Sequence, residues 1–141
     1  MNPTRFYRTY IKSRKDLIEV DLPNRVDLNE IRIEKTMFPN DWRLYYWKDK
    51  HIQCKSELEA RYISIWLKHG LTTIEIPADE KYLAEIMPIL EKVEKNVYEV
   101  ADETLAGYRE ETQRKIIDGI WLGVHEDKAE YEPTAKSKSK K

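Results

Sequence analysis

Ser56-Glu57-Leu58-Glu59-Ala60-Arg61-Tyr62-Ile63-Ser64-Ile65-Trp66-Leu67-Lys68-His69-Gly70-Leu71 is the stretch that decides the fold. Ser56-x-x-Glu59 is a capping box, which satisfies amide groups otherwise orphaned at a helix start. Leu58, Tyr62, Ile65 and Trp66 then recur at spacings of three and four, and Ala60, Ile63 and Leu67 widen the stripe. A helix from about Glu57 that is apolar over most of its circumference belongs in the middle of a core. Gly70 after His69 is placed to stop the helix in the left-handed conformation, with Leu71 closing over the last turn.

Outward from that helix towards the end of the chain, Thr72 to Ile76 reads as a strand ended by Pro77. Asp79 can cap a second helix, in which Leu83, Ile86, Met87, Leu90, Val93 and Val97 form a sustained stripe that runs through Pro88. A third helical stretch from about Ala101 carries Leu105, Tyr108, Ile116, Ile117, Ile120, Trp121 and Val124, and is weakened by Gly107, Gly119 and Gly123. The last two helices are expected to pair as an antiparallel hairpin. Towards the start of the chain, Trp42 to Trp47 and His51 to Cys54 read as two strands joined by the short turn Lys48-Asp49-Lys50. Ile18, Val20 and Leu22 alternate with Glu19 and Asp21 as a further strand with one wet face, and Val26 to Ile33 suits another strand with a bulge, the alternative being a short helix capped by Asp27 with Glu30. The order is that of an α+β domain: a small antiparallel or mixed sheet packed by the capped helix and followed by a long helical hairpin.

The chain has 141 residues, one domain's worth, and no apolar run approaches the roughly 20 residues of a membrane span. A lone Cys54 cannot form an internal disulfide, and with no secretory leader at the start the expected setting is cytoplasmic. The net charge of -1 conceals an asymmetry. Residues 1–15 supply +5 through Arg5, Arg8, Lys12, Arg14 and Lys15, the end from Lys136 supplies +4, and the stretch between therefore carries -10. The expected organisation is a basic arm over 1–15, a single domain over 16–127, and a disordered lysine-rich tail over 128–141.

No cofactor, metal site or catalytic residue is read from the chain. His51-x-x-Cys54 has the spacing of a metal-ligand pair and His69 follows, but a second half-site is missing, and a buried Cys54 with an ordinary strand His51 explains the pattern. In the arm, Arg5, Tyr7, Arg8, Tyr10, Lys12, Arg14 and Lys15 interleave cations with aromatic planes, as phosphate contact and base stacking require. The alternative places Phe6, Tyr7 and Tyr10 on the core, with the arginines pairing the acidic body.

Two resemblances extend this reading. Asp41, then Gln53-x-Lys55 one hairpin later, then a helix and a strand, resembles over residues 41–76 the core of metal-dependent nucleases whose signature is Asp followed by Glu-x-Lys. The resemblance implies a divalent ion held at Asp41 and the position of Gln53, with Lys55 orienting water. Gln53 replaces a carboxylate that a hard cation prefers, so the implied domain is degenerate. Tyr45-Tyr46-Trp47, the run from Ser56 to Ile63, Trp66-Leu67, Ile74-Glu75-Ile76-Pro77 and Trp121-Leu122-Gly123 together resemble, over about 45–127, the carboxy-terminal specificity region of restriction–modification adenine DNA methyltransferases. The Asn-Pro-Pro-aromatic motif and glycine-rich methyl-donor site of that family are absent, so the resemblance implies a recognition or accessory module. The leading expectation is thus a non-enzymatic module associated with nucleic acid, DNA in particular. The alternatives are a protein-interaction or homodimerisation module using the hairpin over 79–124, which an exposed apolar strip there would favour, and the degenerate nuclease.

Overall fold

The computed structural model describes residues 1–38 and 41–139, with side chains described as far as Val124. The elements run α1 (Pro3–Phe6), β1 (Leu17–Asp21), β2 (Arg32–Thr36), β3 (Asp41–Trp47), β4 (Lys50–Cys54), α2 (Glu57–Lys68), β5 (Thr73–Pro77), α3 (Glu80–Thr104) and α4 (Glu110–Ser139), with a π-helical turn over Tyr7–Ile11 continuing α1. This is an α+β fold with a helical hairpin at its end. The strands form two antiparallel sheets, β1 with β5 and β2-β3-β4.

The decisive helix forms as its sequence dictates. Ser56 Oγ accepts from Glu59 N at 3.1 Å, and Glu59 Oε1 reaches back to Lys55 N at 3.2 Å, one residue beyond the cap itself. At the other end Gly70 takes φ +84°, Leu71 N donates to Trp66 O and Gly70 N to Leu67 O, a complete Schellman stop with Leu71 buried beneath it. Tyr62, Ile63, Trp66 and Leu67 are each 1% exposed, so α2 is the spine of the core. Its aromatic rings continue across the interior, Trp66 meeting Trp121 of α4 edge-on at 5.4 Å and Phe6 at 6.3 Å.

The β3–β4 hairpin is in register from Trp42↔Cys54 to Tyr45↔His51, and Lys48 takes the positive φ of its turn. Leu44, Ile52, Cys54 and Ile33 line the inner face against the core, while Arg32, Arg43, Tyr45, His51 and Gln53 share the other face by register. The strand expected over Val26 to Ile33 starts later, at Arg32. Asp27 is the reason: its carboxylate accepts from Asn29 N and its carbonyl from Glu30 N, and this local turn outcompetes the ladder.

α3 begins where Asp79 Oδ1 accepts from Lys81 N and Tyr82 N, and all six residues of the expected stripe are buried. It runs on to Thr104, past the Ala101 start assigned to the third helix, which instead begins at Glu110. The arm expected over 1–15 is folded onto the body: Phe6 and Ile11 are fully buried and α1 packs on α4. The side chains of the tail expected over 128–141 lie outside the described residues. Among the described residues no helix is long and apolar enough to cross a membrane.

Candidate functional site: a groove beside a buried clasp

The residues singled out in the arm divide. Tyr7 is 4% exposed and its hydroxyl donates to the buried Glu75 carboxylate at 2.5 Å, so it offers no free face for base stacking; the stacking role assigned to it is corrected here. Tyr10 is half-buried beside Phe6, and its carbonyl accepts from Tyr82 Oη at 2.6 Å. Arg14 grips Asp16 through two bonds of 2.9 and 2.8 Å and lies 3.8 Å over the Tyr82 ring. The bidentate hydrogen bond raises the guanidinium's pKa and lowers that of Asp16. Arg5, Arg8 and Lys15 are exposed, and Lys12 is half-buried. The burial of Phe6, Tyr7 and Ile11 carries a signal present in the sequence, since apolar pairs at 6–7 and 10–11 repeat at four residues.

Of the three nuclease-like residues, the structure brings Asp41 and Gln53 together at one edge of the sheet, while the Lys55 ammonium turns to Glu59. Gln53 Nε2 donates to Asp41 Oδ2 and Thr36 Oγ1 to Asp41 Oδ1, so protein donors engage both carboxylate oxygens. Lys55 Nζ instead faces Glu59 at 3.8 Å. His51 lies against Tyr45 at 5.2 Å, while Cys54 faces the core, its thiol pushed up to about 12 by burial, with Glu59 and Asp41 adding to the rise. Among the described residues no group of three or more His, Cys, Asp or Glu side chains is arranged to hold a metal ion.

What the structure does assemble lies on α4, which presents three different faces. Ile117, Trp121 and Val124 enter the core. Arg114 and Asp118, one turn apart and both half-buried, enter a polar clasp centred on the buried His69. The imidazole is fully buried, with Nδ1 3.3 Å from Asp118 Oδ1 and Nε2 3.1 Å from Glu94 Oε2, and it stacks on Trp121 at 4.3 Å and 6°. Only a doubly protonated ring donates from both nitrogens; either neutral tautomer donates to one carboxylate alone. Around it, Lys68 Nζ pairs with Glu94 at 3.1 Å, and Arg114 donates to Asp118, Tyr98 Oη and Lys68 O. Burial pushes the Glu94 carboxyl up, but the His69 hydrogen bond and the Lys68 ammonium outweigh it and hold the group below its ordinary range. The clasp thereby joins the end of α2 to α3 and α4.

The third face bears Ile116 and Ile120, which the sequence placed in a core stripe; they are 39% and 40% exposed, because Ile117 and Trp121 beside them take the inward positions. Together with Val100, which is 56% exposed, and Leu105, they wall a groove of about 430 Å³ whose floor is the buried Val97 and Ala101. Met1 and Asn2 close one side. Such a volume falls within the range of binding clefts, roughly 300–1,000 Å³, and its lining is mainly apolar. The clasp ties α4 to α3 alongside this groove.

No family model, curated protein or solved structure matches the chain.

Proposed function

We propose that the protein is an interaction module whose α3–α4 groove receives the apolar face of a helix from a partner protein. One observation carries this reading: Val100, Ile116 and Ile120 stand exposed together around a concave apolar floor, where burial on a partner would remove them from water at about 25 cal/mol per Å². Two antiparallel helix walls suit a third helix, the helix-in-groove mode of recognition. The cytosol, where an unpaired thiol such as Cys54 is stable, is the setting of the proposal.

The test is amide chemical-shift mapping of the intact protein with a synthetic amphipathic helical peptide. Perturbations confined to residues around 97–120, and lost in an Ile120→Asp variant whose remaining spectrum is native, support the reading. Perturbations elsewhere, or none, overturn it. Light scattering of the free protein shows whether a second copy takes the place of the partner.

A second reading, nucleic-acid association through the basic end, draws on the exposure of Arg5, Arg8 and Lys15. Contact there is with phosphates and requires binding that weakens with salt. Fluorescence anisotropy with labelled DNA and RNA over a salt series tests it, with the triple change of these residues to Glu as the control; salt-insensitive or absent binding removes it.

A further inference from the structure

We infer that the segment received by the groove is a basic amphipathic helix, an inference that rests on the docking reading above and specifies the chemistry of its partner. The charged side chains lining the groove are both acidic, Glu99 and Glu103. From 99 to 111 the chain also carries Asp102, Glu110 and Glu111 against the single cation Arg109. Asp102 and Glu103 have no ion-pair partner among the described residues. Glu99 meets Lys95 and Glu111 meets Lys115 only in exposed i,i+4 contacts of 3.9 Å, which neutralise little. Met1 also lines the groove and brings its α-ammonium there, but the carboxylates along this edge outnumber it, so the apolar cleft favours cationic segments over anionic ones.

A second copy of this chain does not meet that description among its described residues. Among the residues with described side chains, the basic helical segment is α1 with the π-turn after it, and the apolar side of that segment, Phe6, Tyr7 and Ile11, is already buried in its own core. The inferred occupant is another protein's helix, with apolar anchors at i, i+3 or i+4, and i+7, and Lys or Arg on its flanks; a homodimer in light scattering of the free protein would instead point to the lysine-rich end of a second copy.

The experiment uses two fluorescein-labelled peptides of about 18 residues, five helical turns, with one identical leucine face and a polar face of either lysines or glutamates. Each is titrated with the intact protein at about 0.05 M and about 0.5 M salt. The lysine peptide is expected to bind at least about tenfold more tightly at low salt, with the advantage shrinking at high salt and in the Glu99→Gln/Glu103→Gln variant. Ile120→Asp is expected to abolish binding of both peptides. Equal affinity for the two overturns the basic-partner inference and leaves the docking reading standing. Binding of neither overturns the docking reading itself. Lysine-peptide binding that survives Ile120→Asp shows adsorption outside the groove and overturns the inference as well.

Discussion

Replacing His69 with alanine is the sharpest probe of how α4 is held. The ring is fully buried, stacked on Trp121 and hydrogen-bonded to carboxylates from two other helices. Truncating a large buried side chain costs about 2–5 kcal/mol through lost transfer energy and the cavity left behind. The carboxylates beside it also lose the ring's N–H, which a neutral tautomer gives to one of them alone, at about 1–3 kcal/mol for a group left stranded. They are not stranded here: Glu94 retains Lys68 at 3.1 Å and Asp118 retains Arg114 at 3.2 Å. The total expected is accordingly about 3 kcal/mol, a large part of the roughly 5–15 kcal/mol that holds a domain together. Urea unfolding followed by tryptophan fluorescence measures it, Trp121 reporting directly on the loss of its stacked neighbour. Asp118→Ala alone is expected to cost about 1 kcal/mol, and the double variant less than the sum by at least about 0.5 kcal/mol, because the second change removes a group whose partner is already gone. A His69→Ala cost within about 0.5 kcal/mol of zero, or strict additivity in the cycle, refutes the clasp.

The two glycines inside α4 are expected to respond differently to alanine. A Cβ at Gly119 meets nothing within 4 Å, so Gly119→Ala should gain the helix-propensity difference of about 0.8–1 kcal/mol in thermal or urea unfolding. A Cβ at Gly123 meets Thr4 Oγ1 at 3.0 Å, so Gly123→Ala should gain less, recovering the difference only with Thr4→Ala. The thiol of Cys54 should react with iodoacetamide at pH 8 only on unfolding, being both buried and held largely as the neutral form; rapid labelling of the native protein contradicts its placement. Glu94 has a folded pKa below its ordinary 4.5, so its contribution to stability is complete above pH 4.5 and disappears as pH falls through the lower folded value. Glu94→Gln should flatten the stability profile in that acidic window, and an unchanged slope counts against the ion pair.

Local signals located most of the elements. Ser56, Glu59 and Gly70 mark the two ends of α2 because caps and stops depend on neighbouring backbone groups, and the α3 stripe is legible because one face repeats without interruption. Inside α4 the same reasoning cannot divide Ile116 and Ile120 from Ile117 and Trp121: adjacent apolar pairs fit a wide stripe equally well, and only packing against α2 and α3 decides which enters. The clasp was hidden for another reason. His69 draws its partners from 25 and 49 residues away, at Glu94 and Asp118, and no local periodicity announces such a meeting. In the opening segment the arginines dominate the charge, while the four-residue repeat of Phe6, Tyr7, Tyr10 and Ile11 carries the structural information.

The packing of α1 on α4 also governs how the protein must be made. Thr4 sits at Gly123, and Phe6 reaches Trp66, so the first helix finds its complete resting place only once the last has been synthesised. At about 5–20 residues per second, the interval between Ile11 and Val124 leaving the ribosome is roughly 6–23 s. During that time the opening segment can reach Trp66 of α2 and the residues of β5 and α3, but the α4 side of its packing is missing. Chaperone engagement during translation should therefore concentrate on the first dozen residues and end as Trp121 and Val124 emerge.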